Sequence, residues 1–303
     1  MTDLKGQVAL VTGASRGIGK SIALALGQAG AAVYLTGRTR KGETPFCQLA
    51  GSIDATAASI IQAGGTAFPL VCDHAQDQQT QSVFARIQSE QGRLDILVNN
   101  AWEGYQRMQR KLEEALGGKK SKGKMIAGME EAFGEFTHKF WDLPLEDWDT
   151  MHRVGVRSHY IACVLAARIM TQAQKGLIIN VTADISEQGG QVAYSMAKSS
   201  VNRMTADTAI QLRDSGVTVV AIQPGMVLTE MFEQRYRKGF LDKEDYPRFE
   251  APAFVGNCVV ALASDNDIIE KTGSVLQTKE IAAAYNLEIL DGSHVTYKRP
   301  ATR

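Results

Sequence analysis

A tyrosine and a lysine stand four residues apart in the stretch YSMAK, as Tyr194 and Lys198. Residues at i and i+4 share one face of a helix, so the ammonium group can lie beside the phenol. A free phenol titrates near ~10, and a neighbouring positive charge favours the phenolate, so we expect Lys198 to lower the pKa of Tyr194. Such a pair can give a proton to a carbonyl oxygen or take one from an alcohol.

Short apolar runs alternate with amphipathic stretches of helical length along most of the chain. This alternation predicts βαβ units, and therefore a doubly wound parallel α/β sheet of the Rossmann type. The runs ILV at 96–98 and LII at 177–179 are apolar without alternation, which is typical of strands covered by helices on both faces. We expect residues 1–303 to form a single domain. The predicted helices lie near residues 17–29, 53–63, 76–90, 146–173, 193–215 and 253–264, and a last short strand lies near GSVL.

Two connections exceed the usual loop length, residues 39–52 after the second strand and an insertion at 102–145 after the fourth. The charged, glycine-rich middle of the insertion, RKLEEALGGKKSKGK, is interpreted as a solvated segment rather than a nucleic-acid or membrane patch.

The insertion and the segment 226–250 both leave carboxyl ends of strands, where α/β folds bind ligands, so their apolar side chains predict a pocket for a hydrophobic ketone or aldehyde. These side chains are Trp102, Tyr105, Phe133, Phe136, Phe140 and Trp141 in the first segment, and Met226, Met231, Phe232, Tyr236 and Phe240 in the second.

The composition excludes several classes of protein. The 33 basic and 33 acidic residues balance, so no overall field attracts nucleic acid or an anionic membrane. Cysteines 47, 72, 163 and 258 form no CxxC pair, which argues against a zinc or thioredoxin-type site and predicts free thiols in a reducing compartment. The chain shows no signal-peptide pattern and no apolar run of the ~18–20 residues that span a bilayer. We therefore expect a soluble, cytoplasmic protein with small or neutral partners and no metal.

The stretch TGASRGIGK, residues 12–20, is positioned where the first strand ends and a helix begins. Gly13 permits a tight turn, Gly17 lets the backbone approach a phosphate, and Gly19 allows the helix to pack closely on the strand. The helix N-terminus then offers free N–H groups and a positive dipole end to a pyrophosphate, which predicts a dinucleotide site. The residues of this loop expected at the cofactor are Gly13, Ser15, Arg16, Gly17, Ile18 and Gly19.

The end of the second strand bears on the choice of cofactor. An acid there would bind the ribose 2′-hydroxyl of NAD, but YLTGR offers Thr36, Gly37 and Arg38. Arg16 is available from the glycine loop, and two guanidinium groups suit a 2′-phosphate. The sequence therefore predicts that NADP(H) is preferred over NAD(H).

Four motifs occur together in one order: TGASRGIG, NNA at 99–101, YSMAK, and PGMVLT at 224–229. On these motifs the chain resembles the short-chain dehydrogenase/reductase family over nearly its whole length. The stretches GRLDILVNNAW, VGVRSHY and FVGNCVVALASD look like the dehydrogenase/reductase member 1 branch of that family. The resemblance implies an NAD(P)-dependent oxidoreductase acting on C–OH and C=O groups, assembled as a homodimer or homotetramer through the helices near 146–173 and 193–215.

The resemblance also implies roles for single residues. Tyr194 matches the catalytic tyrosine and Lys198 the lysine that binds the nicotinamide ribose. Asp73 resembles the acid that contacts adenine, and Asn99 the asparagine that lines the adenosine site and steadies the sheet. The residues that resemble the segment around the nicotinamide end of the cofactor are Pro224, Gly225, Val227 and Thr229.

Family members carry a serine about a dozen residues before the tyrosine, where its hydroxyl polarises the substrate carbonyl. Here Thr182 lies twelve residues before Tyr194, directly after IIN, and its hydroxyl can donate the same hydrogen bond. Its methyl group restricts the rotamer, which either preorganises the donor or misdirects it. Ser186, eight residues before the tyrosine, is the alternative if the glycines of EQGG fold it back. We expect Thr182 to orient the carbonyl.

One position departs from the family pattern. Many members carry an asparagine after the fourth strand that helps a water chain relay protons to the lysine. This chain reads VGVRSHY there, with Gly155 at the asparagine position. The relay is therefore in doubt, and Arg157, Ser158 and His159 are not assigned as its replacement.

The function expected from these residues is NADPH-dependent reduction of a hydrophobic ketone or aldehyde, reversible as alcohol oxidation. One alternative is an NAD-linked alcohol dehydrogenase. The other is a catalytically weak NADP-binding sensor or scaffold, which Gly155 and the missing serine suggest. The presence of both Tyr194 and Lys198 favours an enzyme over a sensor.

Overall fold

The fold is that of a computed structural model, which describes residues 3–43, 49–104, 139–183, 192–237 and 243–295. Most of the predicted insertion lies outside the described residues. So do five side chains singled out in the sequence: Tyr105, Phe133, Phe136, Ser186 and Phe240.

Seven strands form one parallel sheet in the described part of the chain. The middle strands are mostly apolar and are buried along nearly their whole length, because helices cover both faces of the sheet. The prediction from the non-alternating apolar runs is therefore confirmed. The strands are β1 (Val8–Val11), β2 (Ala32–Gly37), β3 (Thr66–Val71), β4 (Ile96–Asn99), β5 (Gly176–Val181), β6 (Val217–Gln223) and β7 (Val275–Gln277).

Helices connect the successive strands. The helices predicted near 17–29, 53–63 and 76–90 begin and end within one residue of the expected positions. Two short helices after the sixth and seventh strands were not predicted, because each offers only about two turns of amphipathic pattern. The helices are α1 (Gly17–Gln28), α2 (Ile53–Gln62), α3 (Asp77–Gln91), α4 (Leu145–His152), α5 (Ser158–Ala173), α6 (Val192–Leu212), α7 (Glu230–Arg237), α8 (Pro252–Ala263) and α9 (Thr278–Tyr285).

The strands lie in the order β3-β2-β1-β4-β5-β6-β7, so the direction of winding reverses between β1 and β4. This order confirms the predicted doubly wound sheet. Val11 lies opposite Val98 and Asn99 lies opposite Asn180, so the loops after β1, β4 and β5 leave the sheet at nearly one level. A crevice at the carboxyl ends of such strands is where open α/β sheets bind ligands.

Each face of the sheet has its own apolar core. Helices α1, α2, α8 and α9 cover one face, where Ile22 and Phe254 are fully buried. Helices α3, α5 and α6 cover the other face, where Phe84 and Met170 pack on β1, β4 and β5. Burial of each such side chain stabilises the fold by about 1.5–3 kcal/mol relative to exposure. The two cores hold the strand ends in place from both sides.

The helix predicted near 146–173 is divided into two in the structure. Helix α4 ends at His152 and α5 begins at Ser158, and the backbone between them is not helical at Val154 and Gly155. Gly155 has φ +145° and ψ −29°, a conformation that side chains bearing a Cβ rarely adopt. The prediction of one continuous helix is wrong because a single glycine inside an apolar helical pattern does not reveal a kink.

Cys72, Cys163 and Cys258 are buried free thiols, as predicted, and Cys47 lies outside the described residues. No helix in the described ranges has the length and hydropathy to cross a bilayer. Within those same ranges, no three His, Cys, Asp or Glu side chains come together as metal ligands.

The hydroxyl of Thr12 links the glycine loop to the loop after β4. Its Oγ1 accepts the backbone N–H groups of Asn100 at 2.9 Å and Ala101 at 3.0 Å, and donates to the carbonyl of Val98 at 3.3 Å. Thr12 is buried, so the two N–H groups depend on this oxygen rather than on water. The two loops are thereby fixed to each other at the point where the sheet changes direction.

Replacing Thr12 by valine keeps the shape of the side chain and removes the acceptor. We expect Thr12→Val to lower the free energy of unfolding by about 1–3 kcal/mol, because buried N–H groups lose their partner. Urea unfolding measures the change. Thr12→Ser should retain most of the stability, and Thr66→Val, the same change at an exposed strand position, should have little effect. Equal stability of Thr12→Val and the wild type would contradict this role of the hydroxyl.

Candidate active site

Tyr194 and Lys198 lie on one buried face of α6, as the spacing predicts. The Lys198 ammonium donates a hydrogen bond to the carbonyl oxygen of Val181, the last residue of β5, at 3.3 Å. Its Nζ lies 5.9 Å from the centre of the Tyr194 ring. The pair therefore sits at the carboxyl end of β5, on the edge of the sheet where the glycine loop also lies.

Thr182 follows β5 directly and is buried. Its backbone N–H donates to the carbonyl of Ile222 at 2.9 Å, which fixes it at the end of the strand. Its hydroxyl oxygen is buried and has no hydrogen-bond partner among the described residues. An unsatisfied buried hydroxyl costs about 1–3 kcal/mol, so such a group is typical of a site whose partner is a ligand. Ser186, the alternative, lies outside the described residues.

Burial changes the protonation of two basic groups at this site. Loss of hydration lowers the pKa of Lys198 to about 7 from its ordinary value of 10.5. Burial, and then the charge of Lys198, lowers the pKa of His159 to about 3. His159 is therefore neutral, and its Nε2–H donates to the carbonyl of Ala101 at 3.1 Å. Through this bond His159 supports the backbone after β4.

The glycine loop packs directly against the residues after β4. Gly13 has φ +68°, and a Cβ there would lie 2.8 Å from the Cα of Ala101, so only glycine fits. The Asn100 side chain donates to the carbonyls of Thr12 at 3.0 Å and Gly13 at 3.1 Å. A Cβ at Gly19 would overlap the Gly13 carbonyl oxygen, as expected for close packing of helix on strand.

Two further residues of the glycine loop are largely covered by the fold. Ser15 is buried, and Ile18 is partly buried against the core on the α1 face. Their predicted contact with the cofactor stays a prediction.

The N-terminus of α1 already holds a negatively charged oxygen. The N–H of Gly17 donates to a carboxylate oxygen of Glu230 at 2.7 Å, and the other oxygen lies 3.8 Å from Lys20 Nζ. The methyl of Thr229 lies against Gly17 as well. Because this N–H and the helix dipole bind a carboxylate here, the residues fit the pyrophosphate of a dinucleotide. Glu230 was not predicted as a site residue.

Arg38 follows β2 directly, and the guanidinium group of Arg16 reaches the chain after β2 from the glycine loop. Arg16 donates to the carbonyl of Gly51 at 2.9 Å and to the Thr39 hydroxyl at 3.4 Å. Arg38 forms an ion pair with Glu103 from the loop after β4, with 2.6 Å between Nη1 and Oε1. The two guanidinium groups are thus brought to one end of the crevice, and Glu103, which was not predicted, places a negative charge beside one of them.

Asp73 and Asn99 have different surroundings. Asp73 follows β3, and its carboxylate accepts the backbone N–H of Ala75 at 3.0 Å. Asn99 is fully buried, and its side-chain NH₂ donates to Asn180 at 2.9 Å and to Cys163 Sγ at 3.3 Å. These bonds agree with the predicted role of Asn99 in steadying the sheet, whereas the neighbouring Asn100 makes the contacts with the glycine loop.

The segment after β6 is held by the buried Glu250. Leu228 N–H donates to the Glu250 carbonyl at 2.9 Å, and Glu250 N–H donates to the Met226 carbonyl at 2.7 Å. Val227 and Pro224 are buried, and Gly225 is exposed. An isolated β-bridge joins Val227 to Glu250 within this segment, and Thr229 at its end lies beside Gly17 of the glycine loop.

The apolar side chains predicted at the substrate behave in different ways. Phe232 and Tyr236 are buried in a cluster with Tyr246 and Phe249, which stabilises the segment itself. Met226 is 41% exposed. Phe140 and Trp141 are exposed and stack edge to face on each other. Trp102 contacts Tyr194 directly, and Met231 packs on the Phe232 cluster.

Comparison with known proteins agrees with this geometry. The family model for short chain dehydrogenase matches residues 7–116 and 126–239. "Dehydrogenase/reductase SDR family member 1" of Mus musculus is 37% identical over 311 residues, which cover 96% of this chain and 86% of that protein. The chain belongs to the short-chain dehydrogenase/reductase family. The predicted resemblance is confirmed, and as a short-chain dehydrogenase/reductase the protein is an oxidoreductase.

Two solved structures share the fold of this short-chain dehydrogenase/reductase. A metagenomic short-chain oxidoreductase in complex with NADP is 25% identical, with a TM-score of 0.63, and the match covers 90% of this chain and 96% of that one. A 7α-hydroxysteroid dehydrogenase complexed with NADH and 7-oxo glycochenodeoxycholic acid has a TM-score of 0.70 at 23% identity, covering 92% and 95%. The family fold binds a nicotinamide cofactor, which supplies or accepts the hydride when bound.

The short-chain dehydrogenase/reductase site contains residues that the sequence reading missed. Thr12 and Asn100 join the two loops, and Glu103 and Glu230 are paired with cofactor-side groups. Thr12 and Asn100 lie inside quoted motifs, so their positions could have been found. The partners of Glu103 and Glu230 are distant in sequence, and no local pattern indicates them.

The burial of Lys198 makes stability depend on pH in a definite direction. With a pKa of about 7 when folded and 10.5 when unfolded, the unfolded chain binds more protons between these values. The free energy of unfolding therefore rises with pH from about 7 to about 10. We expect Lys198→Met, measured without cofactor, to be more stable than the wild type near pH 7, with the difference shrinking toward pH 10.

Urea unfolding at several pH values measures both curves. Lys175→Met, a change at an exposed lysine, should keep the wild-type slope. Parallel curves for the wild type and Lys198→Met would show that Lys198 is not desolvated in the folded protein.

Proposed function

We propose that the protein is a carbonyl reductase that uses NADPH to reduce hydrophobic ketones or aldehydes, and that oxidises alcohols in the reverse direction. The observation that carries the proposal is the buried hydroxyl of Thr182 beside the Tyr194 and Lys198 pair. A donor, a proton source and a cation at one edge of the sheet suit a carbonyl oxygen that gains negative charge.

In this mechanism the Thr182 hydroxyl donates a hydrogen bond to the carbonyl oxygen and orients it. Tyr194 gives its phenolic proton to the same oxygen as the hydride arrives at the carbon. The Lys198 ammonium then favours the phenolate that remains, since an opposite charge at close range stabilises it. In the reverse direction the phenolate takes the proton from an alcohol.

The proposed preference for NADP(H) is supported by Arg38, which follows β2, and by Arg16, whose guanidinium group reaches Thr39 from the glycine loop. Guanidinium groups bind phosphate by paired hydrogen bonds, and no acid follows β2 directly. Of the two related structures, one contains NADP and the other NADH, so relatives alone do not decide the preference. The ion pair with Glu103 is expected to weaken the pull of Arg38 on a 2′-phosphate.

The apolar substrate class is supported by the lining available beside Tyr194. Met151 and Ala183 form an apolar cluster with the tyrosine, and Met226, in the segment after β6, is 41% exposed. An apolar site with few polar groups binds a hydrophobic carbonyl compound. No nucleic acid or membrane partner is part of the proposal.

Self-association is part of the proposal too. Helices α5 and α6 present the exposed apolar side chains Tyr160, Met196 and Ile210. Apolar side chains on the faces of two helices can form a symmetric interface, so a homodimer or homotetramer stays our prediction. That residues 1–303 form a single domain, and that the protein is cytoplasmic, also stay predictions.

The experiment that tests the function scans apolar ketones and aldehydes for NADPH oxidation. We expect turnover by the wild type, and a loss of on the order of 10²-fold or more in Tyr194→Phe and in Thr182→Val, because each removes one hydroxyl from the reacting carbonyl. Binding of NADPH, measured by calorimetry, should change little in both variants.

Three results would revise the proposal. Tight NADPH binding without turnover of any compound would favour a sensor or scaffold. Turnover with NADH alone would favour the NAD-linked alcohol dehydrogenase. Full activity in Thr182→Val together with loss in Ser186→Ala would transfer the orienting role to Ser186.

Cofactor choice is tested at the Arg38 and Glu103 pair. We expect Arg38→Asp to reduce the ratio of NADPH to NADH affinity by about tenfold or more, because a cation is replaced by an acid beside the 2′-phosphate. Glu103→Gln should raise the ratio by about two- to fivefold, in line with a partly exposed ion pair. The same change at the exposed Glu270 serves as the control. Equal binding of both cofactors by the wild type would refute the arginine argument.

A further inference from the structure

The indole of Trp102 contacts both members of the Tyr194 and Lys198 pair. The Lys198 Nζ lies 4.1 Å from the centre of the indole ring, above its face. The ring of Tyr194 meets the indole at an interplanar angle of 86°, with 5.5 Å between ring centres. One side chain from the loop after β4 therefore touches the two residues that α6 contributes to the site.

The space for this indole exists because residue 155 has no side chain. A Cβ at Gly155 would overlap the indole carbons Cε3 and Cζ3. A Cβ at Gly104 would lie 2.9 Å from the indole nitrogen, so glycine also borders the ring on its other side. The non-helical backbone between α4 and α5, with φ +145° at Gly155, lets the chain pass this close to the ring.

Within the described ranges, three groups are recorded around Lys198 besides the indole. The structure shows the carbonyl of Val181 as its hydrogen-bond acceptor. His159 approaches from α5 and is neutral, and Tyr194 lies on the same helix. Among the residues that the structure describes, the negative face of the indole is then a large group that attracts the ammonium, and such a contact is strongest where water is excluded.

We infer that Trp102 is a positioning residue, which occupies the space freed by Gly155 and holds the Lys198 ammonium in its charged form beside Tyr194. The inference rests on the proposed function, in which that ammonium favours the tyrosine phenolate. It also gives Gly155 a role: the glycine at this position admits the indole, and the indole fills the place where a side chain or water would otherwise lie.

The placement of the indole is tested without any measurement of activity. Gly155→Ala should lower the urea midpoint strongly in the wild type and much less in the Trp102→Leu background, because the clash disappears with the ring. Gly64→Ala is the matched control, since Gly64 has φ +87° and no atom near its missing Cβ, so it reports backbone strain alone. Equal losses in both backgrounds would overturn the inference.

The effect on Lys198 is tested by comparing Trp102→Phe, which keeps an aromatic face, with Trp102→Leu, which keeps apolar volume only. We expect Trp102→Leu to lower kcat by about tenfold and to shift the alkaline limb of the kcat profile to lower pH, because the ammonium loses its proton more easily. Trp102→Phe should retain most of the activity and the wild-type limb. KM and NADPH affinity should change little in either variant.

Trp148→Leu is the control for loss of a tryptophan, since Trp148 stacks on His152 in α4 and is partly exposed. A rise in KM with an unmoved alkaline limb would show that Trp102 contacts substrate instead, and would overturn the inference.

If the wild type turns over no substrate, the proposed function is wrong, but the inference about Trp102 can still be tested. The inference is then decided by the unfolding curves, where the rise of stability with pH should begin at lower pH in Trp102→Leu than in the wild type.

Discussion

The hydroxyl of Thr12 holds together the two loops on which the whole site is built. It lies where the sheet reverses its direction of winding, and it accepts two N–H groups from the chain just after β4. Gly13 can approach Ala101 because that chain is fixed there. The next residue, Trp102, leaves the same fixed point and so reaches Lys198 with a defined direction. Together with the Asn100 side chain, this buried acceptor thus relates the glycine loop to α6.

Much of the fold was readable from the sequence because its signals are local. Apolar runs without alternation predicted the buried parallel strands, and the i, i+4 spacing placed Tyr194 and Lys198 on one helix face. The kink before α5 was not readable, since Gly155 sits within an apolar pattern of helical period. The ion pair of Arg38 with Glu103, and the bond between Gly17 and Glu230, join residues 65 and 213 positions apart. Pairs of residues so far apart in sequence are brought together by the tertiary structure, so the local sequence around each residue does not predict its partner.

Several polar groups at the site destabilise the folded protein, because burial removes hydration that the fold does not replace. Lys198 loses hydration, and Thr182 has a buried hydroxyl that no described residue satisfies. The neutral His159 lies among them with one ring nitrogen bonded to a backbone carbonyl. Such groups persist when the surrounding fold is rigid enough to hold them, and the two apolar cores on either face of the sheet supply that rigidity. Ligand binding can recover part of the cost.

The close contact between Gly155 and the Trp102 ring couples the side chains that these two positions can carry. With the ring where it lies, a Cβ at 155 would overlap the indole, so a side chain at 155 requires the indole to shift or to be replaced. Glycine at 155 places no such demand on position 102. Substitutions at these two positions, 53 residues apart in the chain, are therefore expected to be non-additive.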